Sequence, residues 1–349
     1  MTASIVIFLL LLEGISTVLT NWIKFPPIFV REYNLEGNFI RDFDIGYVNK
    51  PNACYTSRTK MGICYYRINA QGLRSDSEVT KHKSENEYRI LCIGDSTVFG
   101  LDVDQSETFP YQLESILNRR GNGTHYCVLN AGCPSYTSFQ VMRYTEAKLR
   151  DLNPDMIVIA VGVNDAKLRD SEKSRDYRSG PLPFFRRLIF PTNTYLIISY
   201  LKSLFIPIKG IQASDTPAVD TEDYAENLGQ VLDMADAIGA TVIFCPISVP
   251  GKYRSVLREI SNSRGVKIVD AEESLWRAYS DLKAGSNKYT GIRRDPKVHE
   301  IQQIGVLKDE TTIPYFYTIR SNNLVMIDSV HPNPIGNRAI AEDLAKIIP

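Results

Sequence analysis

Arg89-Ile90-Leu91-Cys92-Ile93-Gly94-Asp95-Ser96 is the stretch whose reading decides the fold. An apolar run this short, stopped by a glycine, reads as a strand buried on both faces, the kind found inside parallel sheets. Four similar runs follow: Tyr126-Cys127-Val128-Leu129-Asn130, Met156-Ile157-Val158-Ile159-Ala160-Val161, Thr241-Val242-Ile243-Phe244-Cys245 and Val266-Lys267-Ile268-Val269. Helical stretches lie between them, at about Tyr111 to Arg119, Ser138 to Arg150, Tyr224 to Ile238 and Tyr253 to Ser263. In the third, Leu228, Val231, Leu232 and Ala235 fall on one helical face. A last helix runs from about Ile335 to Ile348, with Asn333 as cap and Pro334 in the first turn. Strands alternating with helices predict an α/β fold, a parallel sheet covered on both faces. Such sheets bind ligands beyond the carboxyl ends of their strands. Chemistry is therefore expected from Gly94, Asn130 and Gly162 onward.

The chain has 349 residues, enough for one large α/β domain with an extension. Hydrophobic residues make up 44% and charged residues 23%, which supports a full globular core. Lys+Arg and Asp+Glu both number 40. A balanced charge argues against nucleic acid as the main partner, because that binding rests on phosphate neutralisation. Six cysteines include no CxxC pair and no Cys/His cluster at zinc spacing, so no structural metal is expected. Cys92 and Cys245 read as small core residues, and Cys127 and Cys133, at another strand end, are open to the same reading. Cys54 and Cys64 lie in a turn-rich polar stretch and could bridge in an oxidising compartment.

Upstream of the sheet the character differs. Within residues 1–23, Ala3 to Leu19 is nearly all apolar, with Ile5-Val6-Ile7-Phe8-Leu9-Leu10-Leu11-Leu12 at its heart, interrupted by Glu13 and followed by Trp22 and Lys24. The length approaches the ~20 residues that span a bilayer. This segment reads as a membrane anchor or signal peptide, with a buried core helix as the alternative. No small-residue cleavage site follows, which favours an uncleaved anchor. Residues 24–87 show turns and short strands such as Ile63-Cys64-Tyr65-Tyr66-Arg67-Ile68, ending in the polar connector Ser75 to Glu87. The rest, 88–349, forms the α/β domain, with an insertion at about 166–222. The insertion begins basic (Lys167, Arg169, Lys173, Arg175, Arg178, Arg186, Arg187) and becomes aromatic (Phe184, Phe185, Phe190, Tyr195, Tyr200, Phe205). It reads either as a lid or substrate wall, or as a solvated insertion with a satellite core.

Gly94-Asp95-Ser96 places a serine at a strand-to-helix turn, but a hydroxyl is a poor nucleophile until a base takes its proton. Of the four histidines, His82, His125, His299 and His331, only His331 has a carboxylate three residues earlier, Asp328. That aspartate can fix the ring tautomer and leave the other nitrogen for Ser96. The order Ser, Asp, His is a known triad order. An acyl-transfer site also needs donors for a developing oxyanion. The Gly132 N–H, the Asn164 side-chain amide and the Ser96 N–H are the candidates. A turn glycine at 132 and a helix cap at 164 are the plain alternatives for two of them.

Gly94-Asp95-Ser96, Gly132, Gly162-x-Asn164-Asp165 and Asp328-x-x-His331 together resemble, in order, the four signature blocks of SGNH/GDSL hydrolases. The resemblance spans roughly residues 88 to 349. It implies a five-stranded parallel sheet in flavodoxin-like order, within a three-layer α/β/α fold. It also implies a Ser96-His331-Asp328 esterase mechanism through an acyl-enzyme, independent of metal and cofactor, with Ser96, Gly132 and Asn164 as the oxyanion hole. A looser likeness to membrane-anchored bacterial members rests on the apolar segment with its glutamate, on Asp42-Phe43-Asp44-Ile45-Gly46-Tyr47 and on Ile68-Asn69-Ala70-Gln71-Gly72-Leu73-Arg74. There is no Gly-x-Ser-x-Gly elbow, since Thr97-Val98 follow Ser96.

The expected reaction is hydrolysis of an O-acyl ester on a glycan, a lipid or a small molecule. The rivals are an acyltransferase using the same residues, and a non-catalytic glycan-binding or assembly module. Charge counting around the apolar segment would place the domain on the cytosolic side, since Lys24 and Arg31 follow it. The family resemblance points to a periplasmic or extracellular domain, and that is the expectation taken.

Overall fold

The short apolar runs do pair into one parallel sheet. A computed structural model describes residues 3–24, 38–59, 61–167, 192–205, 217–293 and 324–349. The chain divides into two compact units: Met1–Lys50 with Leu168–Asp215, and Pro51–Lys167 with Thr216–Pro349. The extension read from 24 to 87 thus contributes to both.

In the larger unit the sheet strands are β5 (Glu87–Gly94), β6 (His125–Gly132), β7 (Met156–Ala160), β8 (Thr241–Phe244) and β9 (Lys267–Ile268). They run parallel in the order β6-β5-β7-β8-β9, so the first strand sits inside and the chain crosses over on both sides of it. That is the flavodoxin-like 2-1-3-4-5 order. The register of β5 against β6 ends on Gly94 opposite Gly132, and against β7 on Gly94 opposite Ala160.

Ile90, Leu91, Cys92 and Ile93 are all fully buried, because helices cover both faces. Ile90, Cys92, Met156 and Val158 join one core with α3 (Phe109–Asn118), α8 (Ala271–Lys283) and α9 (Pro334–Ile347). On the other side α4 (Ser138–Leu152), α6 (Thr221–Asp236) and α7 (Gly251–Arg264) pack together. Cys92 and Cys245 are core residues, as read from the sequence.

Two corrections concern the chain before the sheet. Cys54 and Cys64 lie in the hairpin β3 (Cys54–Thr59) and β4 (Gly62–Arg67), where Cys54 pairs with Arg67 and Ser57 with Cys64. They stand three register positions apart along the hairpin, and all six cysteines are free thiols. The N-terminal segment forms one helix, α1 (Ala3–Trp22), yet among the described residues no helix is long and apolar enough to cross a membrane. The expected spanning anchor is therefore not supported. The physical reason is its polar stripe. Glu13, Ser16 and Thr17 face α5 (Asn193–Phe205), where the Glu13 carboxylate accepts from the N–H groups of Asn193 and Thr194 at 2.8 and 2.9 Å and Thr194 O–H donates to Ser16 Oγ. It is not a core helix either, since Ile7, Phe8, Leu9, Leu10 and Leu11 are exposed. This small unit also holds the hairpin β1 (Phe39–Asp42) and β2 (Gly46–Asn49). Of the insertion, Tyr195, Tyr200 and Phe205 lie on α5, while Arg169 to Phe190 fall outside the described residues.

Candidate active site

Ser96 opens α2 (Ser96–Phe99), a single turn that starts two residues after β5 ends. The turn is tight because two chain segments nearly touch there. A Cβ on Gly94 would lie 1.9 Å from the Ala160 carbonyl oxygen, and one on Gly132 would lie 2.1 Å from the Phe99 nitrogen. Glycine is required at both positions by close approach. Asp95 caps the turn, its Oδ1 accepting from Thr97 N–H and Thr97 O–H, each at 2.8 Å. Burial raises the Asp95 carboxyl above its usual range, against the pull of the two Thr97 bonds and of the His331 and Lys167 charges.

The loop before α9 brings the other two residues. Asp328 Oδ1 accepts from Val330 N–H at 2.7 Å and His331 N–H at 2.8 Å, folding the loop onto its own side chain. The His331 ring then stands with Nδ1 2.9 Å from Asp328 Oδ2 and Nε2 2.9 Å from Ser96 Oγ. Against a carboxylate, Nδ1 carries the proton, which leaves the Nε2 lone pair to accept from the serine hydroxyl. Burial works to raise the Asp328 carboxyl, but the His331 ring and the two backbone N–H groups outweigh it and hold it well below the usual carboxylate range. The loop is fixed from behind. Ser248 O–H donates to the Val330 carbonyl at 2.9 Å, and Ser248 N–H donates to Glu272 Oε1 at 3.0 Å. Arg254 pairs with Glu272 at 3.4 Å and with Asp270 at 2.5 Å. Asn333 caps α9 by accepting from Ile335 and Gly336 N–H, as read from the sequence.

The three candidate oxyanion donors differ in their present partners. Ser96 N–H belongs to the first turn of a helix, which has no intrahelical acceptor. Gly132 N–H donates to the Asn130 side-chain oxygen at 3.0 Å. Asn164 is buried, and its Nδ2 donates to the Tyr136 carbonyl at 3.0 Å, using one of two protons. Next to it, Asp165 accepts from Ser138 N–H at 2.9 Å and Ser138 O–H at 2.5 Å on one oxygen. Its other oxygen is buried with no hydrogen-bond partner among the described residues. Burial pushes the Asp165 carboxyl up to about 7, against the lowering effect of the Ser138 bonds and with a smaller push from Asp95.

Arg74, which closes the Ile68–Arg74 stretch, has a structural part that the sequence reading does not show. Its guanidinium is 2% exposed and donates to the carbonyls of Phe99 at 2.7 Å, Gly100 at 2.5 Å and Val103 at 2.6 Å. Tyr66 and Phe99 stack on each other, centroids 5.5 Å apart, and the Arg74 central carbon lies beside the pair, 4.5 and 4.9 Å from their ring centres. Arg74 thereby ties the backbone that leaves Ser96. Burial lowers its pKa to about 10. Of the other histidines, His82 and His125 take no part in the Ser96 hydrogen bonds, and His299 lies outside the described residues.

A parallel sheet with a base-linked serine at the end of its first strand, and the base held by an aspartate, defines a class of α/β hydrolytic proteins. The sequence profile of the GDSL-like lipase/acylhydrolase family matches residues 92–339, most of the chain, and the chain belongs to that family. It is a hydrolase acting on ester bonds. Among solved structures it is similar to the acetyl xylan esterase AlAXEase, at 14% identity over 74% of this chain and 100% of that one, TM-score 0.44. It is also similar to the psychrotrophic esterase EstA from Pseudoalteromonas sp., at 14% identity over 74% and 94%, TM-score 0.40. A GDSL-like lipase from Bacteroides thetaiotaomicron VPI-5482 matches at 13% identity over 77% and 90%, TM-score 0.40. No curated protein matches the chain.

Proposed function

We propose that the chain cleaves a carboxylic O-acyl ester through an acyl-enzyme on Ser96. The observation that carries this is the unbroken line Ser96 Oγ, His331 Nε2, His331 Nδ1, Asp328 Oδ2, each link at 2.9 Å. As Oγ attacks the ester carbonyl carbon, Nε2 takes its proton and Asp328 steadies the imidazolium that forms. The carbonyl oxygen becomes an oxyanion, facing Ser96 N–H and the second proton of Asn164 Nδ2. Gly132 N–H joins them by leaving or sharing its bond to Asn130. His331 then protonates the leaving alcohol as the ester C–O bond breaks, and water, activated by the same ring, releases the acid. Every proton and charge in these steps is handled by the chain's own groups.

The test is a fluorophosphonate probe on the purified full chain. Labelling at Ser96 is expected, with none in Ser96→Ala. A folded wild-type protein that takes no label would favour a non-catalytic module. Adding a sugar or alcohol acceptor and analysing products separates hydrolysis from acyl transfer.

A second reading concerns the setting, and with it a lipid or glycan as the acyl carrier. Ile7 to Leu11 are consecutive exposed apolar residues, and at about 100° each they encircle α1. Trp22, 83% exposed, and Lys24 stand at its end. An exposed apolar stretch followed by an aromatic and a cation fits the acyl–headgroup boundary of a lipid surface, where such residues sit at the interface. We infer that α1 seats in a membrane surface without crossing it, with the catalytic unit outside the cytosol. Flotation of the full chain with phosphatidylcholine vesicles tests this. Co-flotation that Phe8→Glu/Leu10→Glu abolishes is expected, and wild-type protein left in the aqueous fraction would refute it.

A further inference from the structure

Asn164 is offered to the oxyanion by a side-chain amide, and an amide has two ends of nearly equal shape. Rotation by half a turn about its last bond swaps the oxygen for the NH2 group. The donor role needs one orientation only. In this structure both ends of the Asn164 amide are held. Nδ2 donates to the Tyr136 carbonyl at 3.0 Å, and Oδ1 accepts from the Lys167 ammonium at 2.7 Å. Lys167 is itself fixed by its backbone. Its N–H donates to the Asn164 carbonyl at 3.2 Å, and its carbonyl accepts from Ala218 N–H at 2.7 Å.

We propose that Lys167 is a positioning residue for the reaction at Ser96, setting the orientation and donor strength of the Asn164 amide. The inference rests on the reading of Ser96 as nucleophile and adds a residue to it. Two physical effects act together. The flipped amide would set Oδ1 against the Tyr136 carbonyl oxygen and NH2 against the ammonium, an acceptor facing an acceptor and donors facing a donor. Losing two hydrogen bonds and creating two repulsions excludes that rotamer. In the seated orientation, a cation on the amide oxygen draws electron density from the nitrogen. The remaining N–H becomes a stronger donor toward developing negative charge. An exposed lysine paired with a mobile carboxylate contributes little. Here the acceptor is a buried amide held at both ends, and on the proposed reading it faces the oxyanion.

Lys167 has a competing role, which is to bind an acidic group of the substrate directly. The two roles separate in a double-mutant cycle on the full chain, read with an uncharged acyl ester such as p-nitrophenyl acetate. Lys167→Met is expected to lower kcat about tenfold with KM within twofold, and Lys167→Arg to restore most of it. In an Asn164→Ala background, itself slowed about 100- to 1,000-fold, Lys167→Met should have less than a twofold further effect. The proposal is overturned if Lys167→Met turns over within twofold of wild type. It is equally overturned if its effect persists undiminished without Asn164, or falls on KM alone. Endpoint fluorophosphonate labelling accompanies every variant. Full labelling of Lys167→Met keeps Ser96 and His331 out of the explanation, whereas failure of the wild type to label would fall on the proposed function instead.

Discussion

Asp165 makes a prediction whose sign is unusual for an aspartate. Its carboxyl is raised by burial to about 7 from an ordinary 3.8, so the native state binds a proton that the unfolded chain has already released. Between those two values the native state holds about one proton more, and stability must fall as pH rises. The slope is about 1.4 kcal/mol per pH unit, and the full span of about 3 units amounts to about 4 kcal/mol. The stabilisation is complete below the unfolded value and gone once pH has passed about 7. Asp165→Asn removes the titration and keeps an acceptor for the two Ser138 bonds. Its amide places N–H groups where the buried second oxygen lies, a fixed cost of roughly 1–3 kcal/mol that does not vary with pH. The measurement is urea denaturation of wild type and variant at pH 5, 6, 7 and 8. The variant should gain on the wild type by about 2 kcal/mol between pH 5 and pH 7, and the gap should flatten above that. Asp328 does not confuse the result, since its depressed carboxyl lends stability that is lost only as pH falls below the ordinary carboxylate range. Two parallel stability curves would refute the assignment of a neutral Asp165.

Other outcomes follow from single contacts. Arg74→Met strips the Phe99, Gly100 and Val103 carbonyls of their shared donor, and should cost about 3 kcal/mol or more in urea denaturation, with Arg74→Lys recovering only part. Ser248→Ala frees the Val330 carbonyl behind His331; kcat should fall about fivefold, the equivalent of one neutral hydrogen bond of about 1 kcal/mol, with the melting temperature nearly unchanged. Denatured without reductant, the chain should take up six alkyl groups by mass spectrometry, and in the native state Cys54, the exposed thiol, should react first.

What could be read from sequence was whatever is written in periodicity or in a short local motif. Ile90 to Ile93 announced a strand covered on both faces, and the strand ends then pointed to Ser96, Gly132 and Asn164. Asp328 and His331 were legible because their contact is made within one loop, over three residues. The helix α8 was not read although Asp270 caps it and Leu275, Ala278, Tyr279 and Leu282 recur at helical spacing on its inner face. The helix α5 was hidden because its N-terminus is satisfied by Glu13, 180 positions away. Glu13 itself was read as the flaw in an anchor, whereas it is the joint between two helices. Arg74, Ser248 and Lys167 share another kind of invisibility. Each acts on a carbonyl oxygen of backbone or amide, and no residue pattern marks a carbonyl in need of a donor.

The carboxylates around Ser96 also show how the site handles charge. Attack by Ser96 would put a negative charge on the substrate oxygen; Asp95 precedes Ser96 and Asp165 follows Asn164 in the chain, and anions nearby would oppose it. Both are raised by burial, and at Asp165, raised to about 7, the negative charge is reduced without removing the oxygen that holds Ser138. Asp328 is pushed the opposite way, by hydrogen bonds, and stays anionic on the far side of the imidazole, where an anion favours the cation that forms. Chemically identical groups are thus pushed in opposite directions by environment, Asp95 and Asp165 upward by burial and Asp328 downward by its hydrogen bonds. On that arrangement, Asp328→Asn should keep the fold and lower turnover by orders of magnitude, about 10,000-fold if the ring tautomer is lost. Asp95→Asn, where the anion is already disfavoured, should cost far less. Equal losses in the two variants would show that the sorting has no part in the reaction.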